Sequence, residues 1–96
     1  MKFMLSFRVH EDKRHEVLKA FSQMTAQDDQ ADMGERVKLI GRWHDLTSFT
    51  GVAIAESDDA QAIASWALNW NSSLDIEVTP VLDDQEAREV GRKKFK

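Results

Sequence analysis

VKLIGRWHDLTSFTGVAIA, Val37 to Ala55, is the segment whose pattern decides the fold. Apolar and polar residues alternate on both sides of Asp45–Ser48, a cluster of turn-forming types. This pattern predicts a β-hairpin in which His44 stands opposite Phe49, Arg42 opposite Gly51 and Ile40 opposite Ala53. Val37, Leu39, Trp43, Val52 and Ile54 then share the other face. A one-residue slip would mix the two sets, so the alternation itself selects the register.

Working outward, the chain before the hairpin opens with a strand. In Lys2–His10, Phe3, Leu5, Phe7 and Val9 fall on one side and Met4, Ser6, Arg8 and His10 on the other. From Asp12 the period lengthens to that of a helix, with Val17, Phe21 and Met24 at i, i+4 and i+7 beside Leu18. Thr25–Glu35 is polar and acidic without apolar period, which predicts a connecting loop. After the hairpin, Asp58 and Gln61 resemble a capping box, and Ile63, Trp66, Ala67 and Trp70 form the stripe of a second helix. Ile76, Val78, Pro80 and Leu82 alternate as a fourth strand, which Pro80 confines to a sheet edge because proline has no N–H to donate. Asp83 with Glu86 opens a last helix that ends in Arg92, Lys93 and Lys94, the charge order favoured by the helix dipole.

The order β-α-β-β-α-β plus a terminal helix predicts an α+β, ferredoxin-like domain spanning residues 1–96, with strand order 4-1-3-2. Its helices cover one face of the antiparallel sheet and leave the other open. Strands 1 and 2 run together, against strands 3 and 4. Arg8, His10, Arg42 and His44 are therefore expected at one end of the open face with Phe49, Asp75 and Glu77. Polar groups converging on an otherwise apolar concavity are the pattern of a ligand pocket. Arg8, His10, Arg42, His44, Phe49 and Glu77 are accordingly the candidate ligand-binding residues. The structural alternative is that Arg8 or Arg42 pairs with Glu77 and holds strands or subunits together.

Composition removes several classes of function. The 96 residues contain no cysteine, which excludes disulfides, thiolate-bound zinc and iron–sulfur clusters. A net charge of −4 argues against a broad basic surface for nucleic acid. No apolar run approaches the length of a membrane span, and the alternating start is unlike a signal peptide, so a cytoplasmic location is expected. His10 and His15 are five residues apart, which turns their imidazoles away from a common helix face, and no metal site is expected from them. Nucleotide-binding glycine loops and nucleophile elbows are absent, and no cofactor is expected.

The opening Met1-Lys2-Phe3-Met4, the run Gly41-Arg42-Trp43-His44-Asp45, Trp66 with Asn69-Trp70, and Asp75-Ile76-Glu77-Val78-Thr79-Pro80-Val81 together carry a resemblance. They resemble the dimeric α+β barrel superfamily, which includes antibiotic-biosynthesis monooxygenases, EthD-like proteins and muconolactone isomerase. Within it, the chain is similar to an uncharacterised bacterial family of small single-domain proteins. The resemblance implies a homodimer formed through the open sheet faces, each face enclosing a cavity, and it extends to architecture rather than activity.

Two functions follow as expectations. One is a homodimeric barrel that binds a small organic molecule. The other is a cofactor-independent enzyme, oxygenase- or isomerase-like, acting on a small acidic or phenolic substrate. In the second, His44 is the candidate base and Arg8 or Arg42 steadies an anion. Asp45 follows His44 but belongs on the opposite strand face, which suits it to the turn instead. An RNA-binding sheet is disfavoured, because this open face offers one aromatic residue, Phe49, where such sheets stack two or three bases.

Overall fold

The computed structural model describes all residues from Met1 to Lys96. Strands β1 (Lys2–Val9), β2 (Lys38–Asp45), β3 (Thr50–Glu56) and β4 (Leu74–Val81) form one antiparallel sheet in the order β2-β3-β1-β4. Helices α1 (Arg14–Ser22), α2 (Ala26–Met33), α3 (Ala60–Leu68) and α4 (Asp84–Lys94) complete the chain, and a short 3-10 turn at Glu11–Lys13 leads into α1. This is the expected α+β, ferredoxin-like architecture. Pro80 sits on β4, which pairs only with β1 and leaves its outer edge free.

The segment 25–35 departs from expectation, since most of it is α2. Thr25 caps the helix, accepting from the Asp28 amide while the Asp28 carboxylate accepts from the Thr25 amide. That reciprocal box and the acids in the first turn support a helix that lacks an apolar stripe. Only Met33 is buried, and α2 is fastened instead by its carboxylates. A smaller correction concerns α3, whose cap is Asp59 rather than Asp58; its side chain accepts from the Gln61 amide at 2.9 Å.

The hairpin forms, but its register is displaced by two residues. Asp45 pairs with Thr50, His44 with Gly51 and Arg42 with Ala53, and the turn is Leu46–Phe49. A β-bulge at Ile40 then changes the parity of β2, because Leu39 pairs with Ala55 while Gly41 pairs with Ile54. One extra residue in a strand re-aims everything beyond it. Val37 and Leu39 face the helices as expected, and beyond the bulge so do Arg42 and His44.

The faces of β3 are likewise exchanged relative to expectation. Leu5 pairs with Ala53 and Phe3 with Ala55, placing the alanines in the core, 2% and 0% exposed, beneath Ile63 and Trp66. Trp43, Val52 and Ile54 occupy the opposite face with Met4 and Ser6. The reason is volume. Large helix side chains need small partners on the sheet, so the smaller set of an apolar strand turns inward.

Candidate functional site

A cavity of about 100 Å³ lies between the sheet and helices α1 and α3. Its floor is Leu5, Phe7, Val9 and Ala53, one side is Val17, Leu18 and Phe21 of α1, and another is Trp66 and Ala67 of α3 with Trp70 just beyond its end. The space exists because Ala53 occupies the middle of the inner face of β3, where a larger residue would fill it, while the Phe7 ring covers the neighbouring Gly51. Its mouth is lined by Arg42, His44, Asp45, Leu46, Phe49 and Thr50.

Two charged groups at the mouth, Arg42 and Asp45, are tied down, whereas Arg14, over the Phe49 ring, makes no ion pair and leaves its Nε without a partner. Arg42 Nη2 lies 3.2 Å from Asp29 Oδ1, and its guanidinium stacks 4.7 Å above the Phe21 ring. That guanidinium is half-buried and already neutralised, so it offers a π-stacked rim rather than a free cation. Asp45 accepts from the amides and hydroxyls of Thr47 and Ser48. These bonds, the Thr47 hydroxyl foremost, lower its carboxyl to about 2. Asp45 is thus the last residue of β2, not part of the turn itself, and its side chain braces the Leu46–Phe49 turn.

His44 packs against two rings, with centroids 4.9 Å from Phe21 and 5.7 Å from Phe7. Burial first, and the Arg42 cation second, push its pKa below the ordinary 6.5. The imidazole is therefore neutral at pH 7, able to accept one hydrogen bond and donate another. Phe49 stands at φ 55°, a left-handed conformation uncommon outside glycine, which points its ring into the mouth between Arg14 and His15 of α1.

The six expected ligand residues fall into two groups of three. Arg42, His44 and Phe49 meet at the cavity mouth, on the helix side of the sheet. Arg8, His10 and Glu77 lie at the end of the open face, where Arg8 pairs across from Asp75 and Ser6 across from Glu77. There His10 Nε2 is 3.0 Å from Asp75 Oδ1. A single open-face site containing all six is corrected by the bulge at Ile40, which puts a sheet between the two groups.

Two positions that shape the cavity escaped the sequence, both on α2. Asp29 fixes Arg42, and Asp32 fixes the cavity wall. Oδ2 of Asp32 accepts from the indoles of Trp66 at 3.1 Å and Trp70 at 2.7 Å, while Oδ1 and the backbone carbonyl accept from the Asn69 amide. The usable signal was the pair of buried indole donors in Trp66-x-x-Asn69-Trp70, which require acceptors nearby.

The model of a domain of unknown function, DUF3303, matches residues 1–95. The chain belongs to this family. No curated protein matches the DUF3303 chain. Among solved structures it is similar to an uncharacterized NIPSNAP domain protein from Burkholderia xenovorans, with 14% identity over 88% of this chain and 97% of that one, at a TM-score of 0.48. What a DUF3303 domain does therefore rests on the site itself. No helix in it is long and apolar enough to cross a membrane.

Proposed function

We propose that the protein, a single domain over residues 1–96, is a small-molecule-binding module that works as a homodimer. Its ligand is uncharged, largely apolar and about one ring in size, and it enters the cavity between the sheet and helices α1 and α3. The observation that carries this reading is the lining, of which 14 of 18 residues are hydrophobic, combined with an Arg42 guanidinium already paired with Asp29. A cavity of that kind favours an apolar body with one polar group, placed here beside the neutral His44. A carboxylate would have to compete with Asp29 for Arg42, which leaves Arg14 as the one unpaired cation near the mouth.

Pairing of two copies is supported by the composition of the open face. Trp43 and Ile40 are 60% and 50% exposed there, flanked by Val52, Ile54 and Met4, a clustering typical of interaction surfaces. The unpaired charges of Arg8 and Glu77 supply polar contacts at one end of it.

The test is an amide-resolved NMR titration of the isotopically labelled protein with indole, phenol and benzoate. Shifts centred on Phe7, Phe21, Ala53 and Trp66 with indole or phenol, and weaker ones with benzoate, are expected. Ala67→Leu, which fills the cavity, abolishes them. Shifts confined to Ser6, Arg8 and Glu77, or none with any probe, would defeat the reading.

A second reading is favoured by one observation, the depressed pKa of His44, which keeps a proton acceptor at the cavity mouth. In it the protein is a cofactor-independent enzyme on a small phenolic or acidic substrate, with His44 as general base. Its discriminating variant is His44→Ala, which removes turnover but retains binding.

A further inference from the structure

Helix α4 is built for water on one side and has nothing on the other. Asp83 and Glu86 form a reciprocal capping box, and Arg88–Asp84 and Lys93–Glu89 are ion pairs along its outer surface. The other side carries Ala87, Val90 and Gly91 with the stem of Lys94. No residue of α4 is buried; Val90 is 57% exposed, and Phe95 just beyond the helix is 82% exposed. Lys2 ties the first turn to the sheet through Asp83 and Glu86. Beyond that turn the helix leads away from the body, and the whole molecule, α4 included, measures 52 Å along its long axis against 29 and 19 Å across. Eleven residues are too few for a helix to be firmly stable alone in water.

Charge indicates what covers it. Residues 1–83 hold eight Lys and Arg against fourteen Asp and Glu, whereas residues 84–96 hold five against three. Four of those five, Arg92, Lys93, Lys94 and Lys96, lie at the tip. A basic arm projecting from an acidic body complements the acidic body of a second copy. Nucleic acid would attract the tip and be repelled by the rest.

We propose that α4 is an exchanged arm. In the paired molecule it crosses to the second copy and lays its Val90 side on that copy's open sheet face, where Ile40 and Trp43 stand exposed. This rests on the pairing of two copies advanced above and adds to it a reciprocal clasp. Each protomer then contributes both an arm and the surface that receives one, as two-fold symmetry requires.

The chain's lack of cysteine makes the test direct. Val90→Cys and Ile40→Cys are made in separate full-length chains, both at exposed positions, then mixed and oxidised. The arm predicts a mixed disulfide joining position 90 of one chain to position 40 of the other, at twice the chain mass, and Val90→Glu should weaken dimerisation at least tenfold. If native mass spectrometry gives a dimer but no mixed disulfide forms, the arm is wrong and the pairing survives. A monomer overturns both. With both substitutions in one chain, a cross-link at single-chain mass would show α4 folded on its own sheet and also overturn the proposal.

Discussion

Phe7 lies directly across from Gly51 in the β1–β3 ladder, and its ring occupies the space into which a β-carbon on that glycine would project. The carbonyl of Trp43 closes in from the other strand. Position 51 is thus glycine because of its neighbours, with Phe7 as lid and β2 as wall.

Gly51→Ala should therefore be destabilising by about 1–3 kcal/mol, the usual cost of overpacking a filled site. Denaturant melts check this, and Phe7→Leu in the same chain should recover part of the loss by giving the methyl room. An alanine variant as stable as the native protein would show that the ring moves aside freely.

Asp32→Ala removes the common acceptor of two indoles. Leaving the Trp66 donor without a partner in a site that is 6% exposed should cost about 1–3 kcal/mol. Tryptophan fluorescence should change together with the melting curve, because Trp66 and Trp70 both lose their anchor. Asp32→Asn retains one acceptor oxygen and should fall between the two.

The imidazole of His44 has its pKa lowered in the folded state, so the unfolded chain takes up the proton first. Stability tied to His44 is present above pH 6.5 and is lost as the pH falls from there toward the folded pKa. Native protein should accordingly lose stability on mild acidification relative to His44→Gln. In NMR titrations the midpoint should lie below 6.5 and rise in Arg42→Gln, which deletes the neighbouring cation.

Asp45 behaves with the opposite group chemistry. Its folded carboxyl is lowered to about 2 from 3.8, so its contribution is present above pH 3.8 and is lost as the pH falls toward 2. The Leu46–Phe49 turn should loosen in that window, seen as faster amide exchange at Thr47 and Ser48. Thr47→Val should move the loosening to higher pH, since the Thr47 hydroxyl is the chief cause of the shift.

The order of the strands and of the other helices, the sheet order and the edge position of β4 were legible in the sequence, because period-two and helical patterns and a single proline report them directly. Helix α2 was not, since its stabilisation comes from a capping box and from carboxylates that grip Arg42, Trp66 and Trp70. Polar fastening leaves no periodicity to detect. The inner face of β3 was misassigned for a different reason. Val52 and Ile54 are more hydrophobic than Ala53 and Ala55, yet the alanines lie inside, because depth was set by the room that Trp66 and Phe7 require. The side chains singled out in the sequence are therefore split between two places: Arg42 and His44 stand with Phe49, apart from Arg8, His10 and Glu77.

The bulge at Ile40 sets eight residues of β2, Lys38–Asp45, against seven of β3, Thr50–Glu56. With the start of β2 held in place, deleting that single residue would turn Arg42 and His44 to the outer surface and bring Trp43 in against the helices, with every other residue of the chain unchanged. Whether this domain has an interior polar mouth is thus governed by strand length rather than by residue identity. A relative that kept Arg, Trp and His in the same run but lacked the extra residue would share the motif and have no such mouth.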